Sequence, residues 1–158
     1  MRLQQCDWIF AFTTVGAFIV DRLSKVYALQ NLVDQDIVLF PGCKFSLIFN
    51  TGISFSLFSS SSGMISWELT CVIAVIVALL IVGWRYYALT PLADVGFGLI
   101  IGGAVGNFVD RLAVGGVIDF IELYYRQWSW PTFNVADIAI VIGFLLIAGE
   151  ALYEAKTQ

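Results

Sequence analysis

The sequence predicts an α-helical membrane protein: four transmembrane helices with a small β-structured part outside the bilayer. Three observations carry that prediction. Of 158 residues, 59% are hydrophobic and only 13% are charged, about half the charged share of a soluble domain. The apolar residues gather in four runs, near 8–28, 65–84, 92–109 and 135–153. Each is close to the roughly 20 residues a helix needs to cross the hydrocarbon core. All five tryptophans, Trp8, Trp67, Trp84, Trp128 and Trp130, flank these runs, as interfacial aromatic belts do.

The first run carries Asp21, Arg22 and Lys25 at its end. Asp21 and Lys25 are four apart and pair on one helix face. No small-x-small cleavage site follows, so the run is not read as a removable leader. Segment 29–63 holds β-like stretches at 37–40 and 45–58, broken by Pro41-Gly42. Phe45, Leu47 and Phe49 alternate with Ser46, Ile48 and Asn50, consistent with a strand having two unlike faces. Ser59-Ser60-Ser61-Ser62-Gly63 reads as a flexible loop. The second run follows it.

The third run spaces Gly98, Gly102 and Gly106 four apart, which lines them on one face and lets a neighbouring backbone approach. Gly115-Gly116 stops the helix, and 117–121 reads as extended. There Asp119 turns inward and Glu122 meets water, because strand side chains alternate. The fourth run opens with Asn134 as a fitting N-cap and Asp137 at the third helical position, where an acid suits the helix dipole. With no internal repeat, residues 1–158 read as one integral membrane domain with outer segments at 29–63 and 112–132.

An even number of spans puts both termini on one side. That side has Arg2, Arg85 and Lys156 in short tails and a short turn, while Lys44 and Arg126 lie in long loops. Short loops are what the positive-inside rule weighs, so both termini are placed in the cytoplasm.

Several functions are excluded. The chain has no histidine, so Ser-His-Asp, Cys-His and histidine-ligated zinc sites are ruled out. Cys6, Cys43 and Cys71 are odd in number and widely spaced, which fits apolar filler and no disulfide framework. No basic stripe tracks phosphates, so nucleic acid is not a partner.

What remains is two polar islands, Asn107 to Arg111 with Asp119 behind, and Asn134 to Asp137. Such groups are expensive beside hydrocarbon, and are tolerated where they pair, line a wet cleft or do chemistry. Asp119 and Asp137 flank spans that end on one membrane face, so the loop between them can bring them together. At about 4 Å and an effective dielectric near 20, two carboxylates repel by about 4 kcal/mol. That keeps one proton on the pair near neutral pH, giving one acid and one base. Such a dyad activates water against a peptide carbonyl without a metal.

Blander readings stay open. Asp137 serves as a helix cap alone, and Asp119 as a solvated loop acid. Asp110-Arg111 is an interfacial ion pair, or else Arg111 holds a carbonyl or headgroup through its planar fork. Asn107 shares the Arg111 face. The rival classes are a small proton or cation transporter and a non-catalytic assembly subunit.

The chain resembles the lipoprotein signal peptidases, the bacterial type II signal peptidases, over nearly its whole length. The matching stretches are Asp21-Arg22-Leu23-Ser24-Lys25, Asn50-Thr51-Gly52-Ile53-Ser54-Phe55-Ser56, the run from Gly102 to Leu112, Val117-Ile118-Asp119-Phe120-Ile121 and Phe133-Asn134-Val135-Ala136-Asp137. The resemblance implies a four-helix bundle with an extracytoplasmic β-cradle in the bacterial inner membrane, its active site at the outer face. It implies an aspartyl endopeptidase that needs no cofactor and cuts a diacylglyceryl-modified prolipoprotein just before the lipidated cysteine. The matched positions make Asp119 and Asp137 catalytic. Asn50, Asn107, Arg111 and Asn134 line the substrate site, with Asp21, Lys25, Gly52, Gly106 and Asp110 in support. Membrane lipid and the lipidated precursor are the expected partners, and the enzyme is taken as a monomer. Ser54 stands where alanine is usual, and Ile138 where serine is common.

Overall fold

The computed structural model describes residues 4–51, 67–87 and 90–157. Among these described residues, four long helices and four strands follow in the order α1 (Gln4–Asn31), β1 (Ile37–Phe40), β2 (Cys43–Asn50), α2 (Trp67–Tyr87), α3 (Pro91–Val114), β3 (Val117–Tyr125), β4 (Trp128–Ser129) and α4 (Val135–Thr157). Helix α3 is the centre of the bundle, packed on α1 and α4, with α2 leaning chiefly on α3. Helices α3 and α4 are long and apolar enough to cross a membrane, with mean hydropathy 1.6 and 2.2 over their most apolar windows.

The burial pattern is the reverse of a soluble protein. The largest fully buried side chains are Lys25, Asn134, Asp21, Asp94, Asp110 and Asp119, all of them polar. Leu79, Phe144 and Leu145 are 64%, 63% and 61% exposed. A helix apolar on its outer face with charge turned inward is stable where hydrocarbon replaces water outside.

Glycines set how closely the helices approach. The face of Gly98, Gly102 and Gly106 meets α1: a Cβ on Gly102 would lie 2.5 Å from the Thr14 backbone oxygen, and one on Gly106 would strike the Asp21 carboxylate. A second face, with Gly96 and Gly103, receives α4 in the same way.

Helix α3 runs to Val114, five residues past the apolar run at 92–109. Asp110 and Arg111 are buried within it, so these polar residues do not end the helix. Gly115 does, in the left-handed region at φ 79°, its N–H donating to the Arg111 oxygen. Trp84 packs against α1 and α3. It stacks on Phe10 at 3.8 Å and donates its Nε1–H to Asp94 Oδ1 at 2.8 Å.

The strands form one antiparallel sheet in the order β1-β2-β3-β4. Strand β2 runs from Cys43 to Asn50, and the part of the expected 45–58 stretch beyond residue 51 lies outside the described residues. It begins directly after the tight turn at Pro41-Gly42, where Phe40 already pairs with Cys43. Gly52, Ser54 and the serine loop expected at 59–63 lie outside the described residues. Phe120 packs edge-on against Phe45 at 5.6 Å and seats the sheet on Ala28 and Leu32 at the end of α1.

Candidate active site

The site forms where three chain segments are tied by backbone geometry. Asn50 pairs with Val117 across β2 and β3. Val117 and Asp119 share a strand face, so Asn50 reaches Asp119 diagonally, and its Nδ2 donates to Asp119 Oδ2 at 2.9 Å. Phe133 bridges to Ile121, exchanging backbone hydrogen bonds of 2.8 and 3.0 Å. That clamp sets Asn134 beside Asp119, and its Nδ2 donates to Asp119 Oδ1 at 2.6 Å.

Asn134 is also the cap of α4. Its Oδ1 accepts the Asp137 N–H at 3.0 Å, and its own N–H donates to Asp137 Oδ2 at 3.2 Å. This reciprocal pair is a capping box built from Asn and Asp. Capping and membership of the polar site are therefore one arrangement rather than rival roles for these residues. Asn107 completes the link, its Nδ2 donating to Asp137 Oδ1 at 2.9 Å.

Behind Asn107 lies a buried ion cluster. Lys25 Nζ sits 2.9 Å from Asp21 Oδ2 and 2.6 Å from Asp110 Oδ2, and donates to Asn107 Oδ1 at 2.8 Å. Arg22 pairs with Asp110 from the other side. Asp21 accepts the Ala136 N–H at 3.1 Å and Asp110 the Ile118 N–H at 3.2 Å. Two acids and two bases thus join α1 to α3 and hold the starts of both α4 and β3.

Both carboxylates open onto one cavity of about 710 Å³, with Asn50, Asn107 and Arg111 at its polar end. Arg111 lies within electrostatic reach of Asp119, Asp137 and Asp110. The cavity continues between α2 and α4 over apolar side chains that include Ile73, Val77, Leu80 and Val141. Asp119 is only 2% exposed. Burial pushes its carboxyl up to about 6; the Asp137 charge adds to this, while the hydrogen bonds from Asn50 and Asn134 and the Lys25 charge oppose it. Asp119 thus combines a fixed position, a side turned to the cavity and a carboxyl raised by burial to about 6. Among the described residues no group of histidine, cysteine or acidic side chains has the spacing of a metal site.

Residues 13–153 match the family model of signal peptidase (SPase) II. The chain belongs to the signal peptidase II family. Relatives include the lipoprotein signal peptidase of Wigglesworthia glossinidia brevipalpis, 39% identical over 134 residues and covering 84% of this chain and 87% of that one. That of Pseudoalteromonas atlantica is 40% identical over 146 residues, covering 87% and 86%. The fold matches a bacterial membrane enzyme solved by the in meso method, with TM-score 0.81 at 23% identity over 94% of this chain and 90% of that one. A second such structure gives 0.77 at 24% identity, over 90% and 92%.

Of the residues singled out in this signal peptidase II family member, Asn50, Asn107, Arg111, Asp119 and Asp137 line the cavity. Asn134 is fully buried and bridges Asp119 to Asp137. Asp21, Lys25, Gly106 and Asp110 lie behind it in the ion cluster and its helix contact. Sequence reasoning missed the pairing of Arg22 with Asp110 and the α2 residues of the cavity wall. Nothing in the sequence marks the α2 face, because α2 is apolar all round.

Proposed function

We propose that this chain is an aspartyl endopeptidase of the bacterial inner membrane that removes the signal peptide from a diacylglyceryl-modified prolipoprotein, cutting before the lipidated cysteine. The observation that carries the proposal is the joining of Asp119 and Asp137, through Asn134, on the rim of one partly apolar cavity. One carboxylate takes a proton from water as it attacks the scissile carbonyl, and the other protonates the leaving amine. Asn50, Asn107, Asn134 and Arg111 hold the peptide and the developing oxyanion. The scheme uses no metal or other cofactor.

All four helices span the bilayer as one domain, with both termini in the cytoplasm. The ends of α1 and α3 and the starts of α2 and α4 then face outward with the sheet. The cavity runs from that face down between α2 and α4, so acyl chains and signal peptide stay in lipid while the scissile bond meets the dyad. One chain suffices for the site, since every group named belongs to it.

The test is incubation of the purified protein with a diacylated precursor, with mass analysis of the products. A new N-terminus at the modified cysteine, and no cut in the unlipidated precursor, is the expected result. Equal cutting of both forms, or of neither, removes the proposal. The pH dependence follows from Asp119. Its acid form is lost as pH rises through about 6, so kcat/KM, which reports the free enzyme, falls about tenfold per pH unit above that point. The same burial has a cost to folding. Keeping Asp119 ionised in the fold above pH 6 costs about 3 kcal/mol relative to the unfolded chain.

A further inference from the structure

On the side away from β2, strand β3 is paired by the returning chain, first by β4 and then by Phe133. The register changes between the two. Tyr124 faces Ser129 and Ile121 faces Phe133, so the returning chain takes four steps where β3 takes three. The extra residue makes a β-bulge, a device that re-aims a strand edge, and it falls on Pro131 and Thr132. Phe133 turns both backbone groups to β3. Its N–H donates to the Ile121 oxygen at 3.0 Å, and its oxygen accepts the N–H groups of Ile121 at 2.8 Å and Phe120 at 3.1 Å. Pro131 has no N–H to give. Among the described residues Thr132 has no hydrogen-bond partner, for its backbone or its hydroxyl.

This edge borders the site. Pro131, Thr132 and Phe133 line the same cavity as Asp119 and Asp137, and Thr132 is half-buried. Backbone groups drawn out of water need partners, and an extended peptide supplies them by adding a strand to a free edge. Asn134, which touches both acids, lies two residues further on, about 7 Å away at strand spacing. From residue 130 to 134 the chain runs from the sheet in toward the start of α4. A precursor whose signal peptide lies between α2 and α4, and whose mature part leaves outward, runs the opposite way. The two strands are then antiparallel. With the residue before the modified cysteine opposite Asn134, its carbonyl meets the acids. The cysteine falls opposite Phe133, and the residue after it falls opposite Thr132. An antiparallel pair in that position exchanges two backbone hydrogen bonds.

We propose that the bulged edge at Pro131 and Thr132 is a main-chain docking site for the mature side of the precursor. The residue directly after the modified cysteine gives its N–H to the Thr132 oxygen and accepts the Thr132 N–H on its own carbonyl. This rests on the peptidase reading above and adds which part of the substrate is held, and by which groups. Phe133 has its backbone turned to β3, so the edge places no bond on the cysteine that carries the acyl chains. The bonds go to backbone alone, so the site holds an extended mature segment whatever its side chains.

The probe is a synthetic diacylglyceryl-cysteine peptide that spans the cleavage point. It is made unmodified, N-methylated on the residue after the cysteine, and N-methylated on the residue after that. Cleavage is followed by mass analysis, and binding by displacement of a fluorescent copy. The first methyl removes the donor aimed at Thr132, and should lower affinity and kcat/KM about fivefold, the worth of one backbone hydrogen bond. The second sits on an N–H that points away from the edge, and should change both by less than about twofold, because strand amides alternate in direction. Thr132→Pro removes the partner N–H and should shrink the penalty of the first methyl, since both changes act on one residue pair. Where Thr132→Pro does not fold, the peptide series decides alone. Equal sensitivity at the two amides, sensitivity at neither, or an undiminished penalty in folded Thr132→Pro overturns the docking site. A peptide that binds with the expected alternation and is not cut overturns the peptidase reading and leaves the docking site standing.

Discussion

Asp119→Asn and Asp137→Asn should each lower the turnover of a diacylated precursor by on the order of 10³-fold, the range lost with a positioned acid or base. Asparagine keeps the size of the side chain and removes both the charge and the transferable proton. At position 119 it also meets the donors of Asn50 and Asn134 on both sides, so one NH2 faces another. That conflict costs about 1–3 kcal/mol, which is less than a whole domain's stability, so the variant should still insert and accumulate. The double variant should be little slower than either single one, because the two acids act as a unit. Single-turnover cleavage at matched amounts of folded protein is the measurement. Turnover near the wild-type rate in either variant removes that residue from the chemistry.

Asp110→Asn should act on the fold rather than on the reaction. Asp110 is fully buried, receives Lys25 at 2.6 Å and Arg22, and caps the Ile118 N–H at the start of β3. Removing one acid from a cluster of two acids and two bases leaves an uncompensated buried cation. Breaking such a pair from one side costs about 3–5 kcal/mol, and a drop in Tm on the order of 10 °C follows for a chain of this size. Thermal unfolding in detergent measures it, with the activity of the surviving folded fraction as the second reading. A variant with wild-type Tm and no turnover would move Asp110 from support into the chemical step.

Much of this was legible in the sequence. Asn134 and Asp137 announce a helix start by type and spacing, and the capping box forms as those residues dictate. Gly115 ends α3 because its left-handed backbone suits a residue without a Cβ. The Asp21 and Lys25 spacing yields the ion pair it should. The alternation in β3 turns Asp119 inward, while Glu122 pairs with Lys44 on the outer side at 3.2 Å.

Other features were out of reach for one reason: they join residues distant in the chain. That Gly98, Gly102 and Gly106 form a close-packing face is a matter of period; that the face meets α1 is a matter of helix arrangement. Arg22 and Asp110 are 88 residues apart, and charge alone does not say which acid each base takes. In α2 both the cavity wall and the outward face are apolar, so hydropathy carries no difference between them.

The sequence by itself determined where the helices lie, where two of them stop or start, and which few polar side chains had to be accommodated in an apolar chain. These are decided within a few residues, by backbone preference and by transfer of side chains out of water. The tertiary structure alone decided that Lys25 reaches Asn107, that Asn134 touches both acids, and that a cavity opens beside them. Those contacts depend on which helix faces are turned together, and in a membrane-type bundle the faces are chosen by glycine-scale packing and buried charge pairing, not by hydrophobicity.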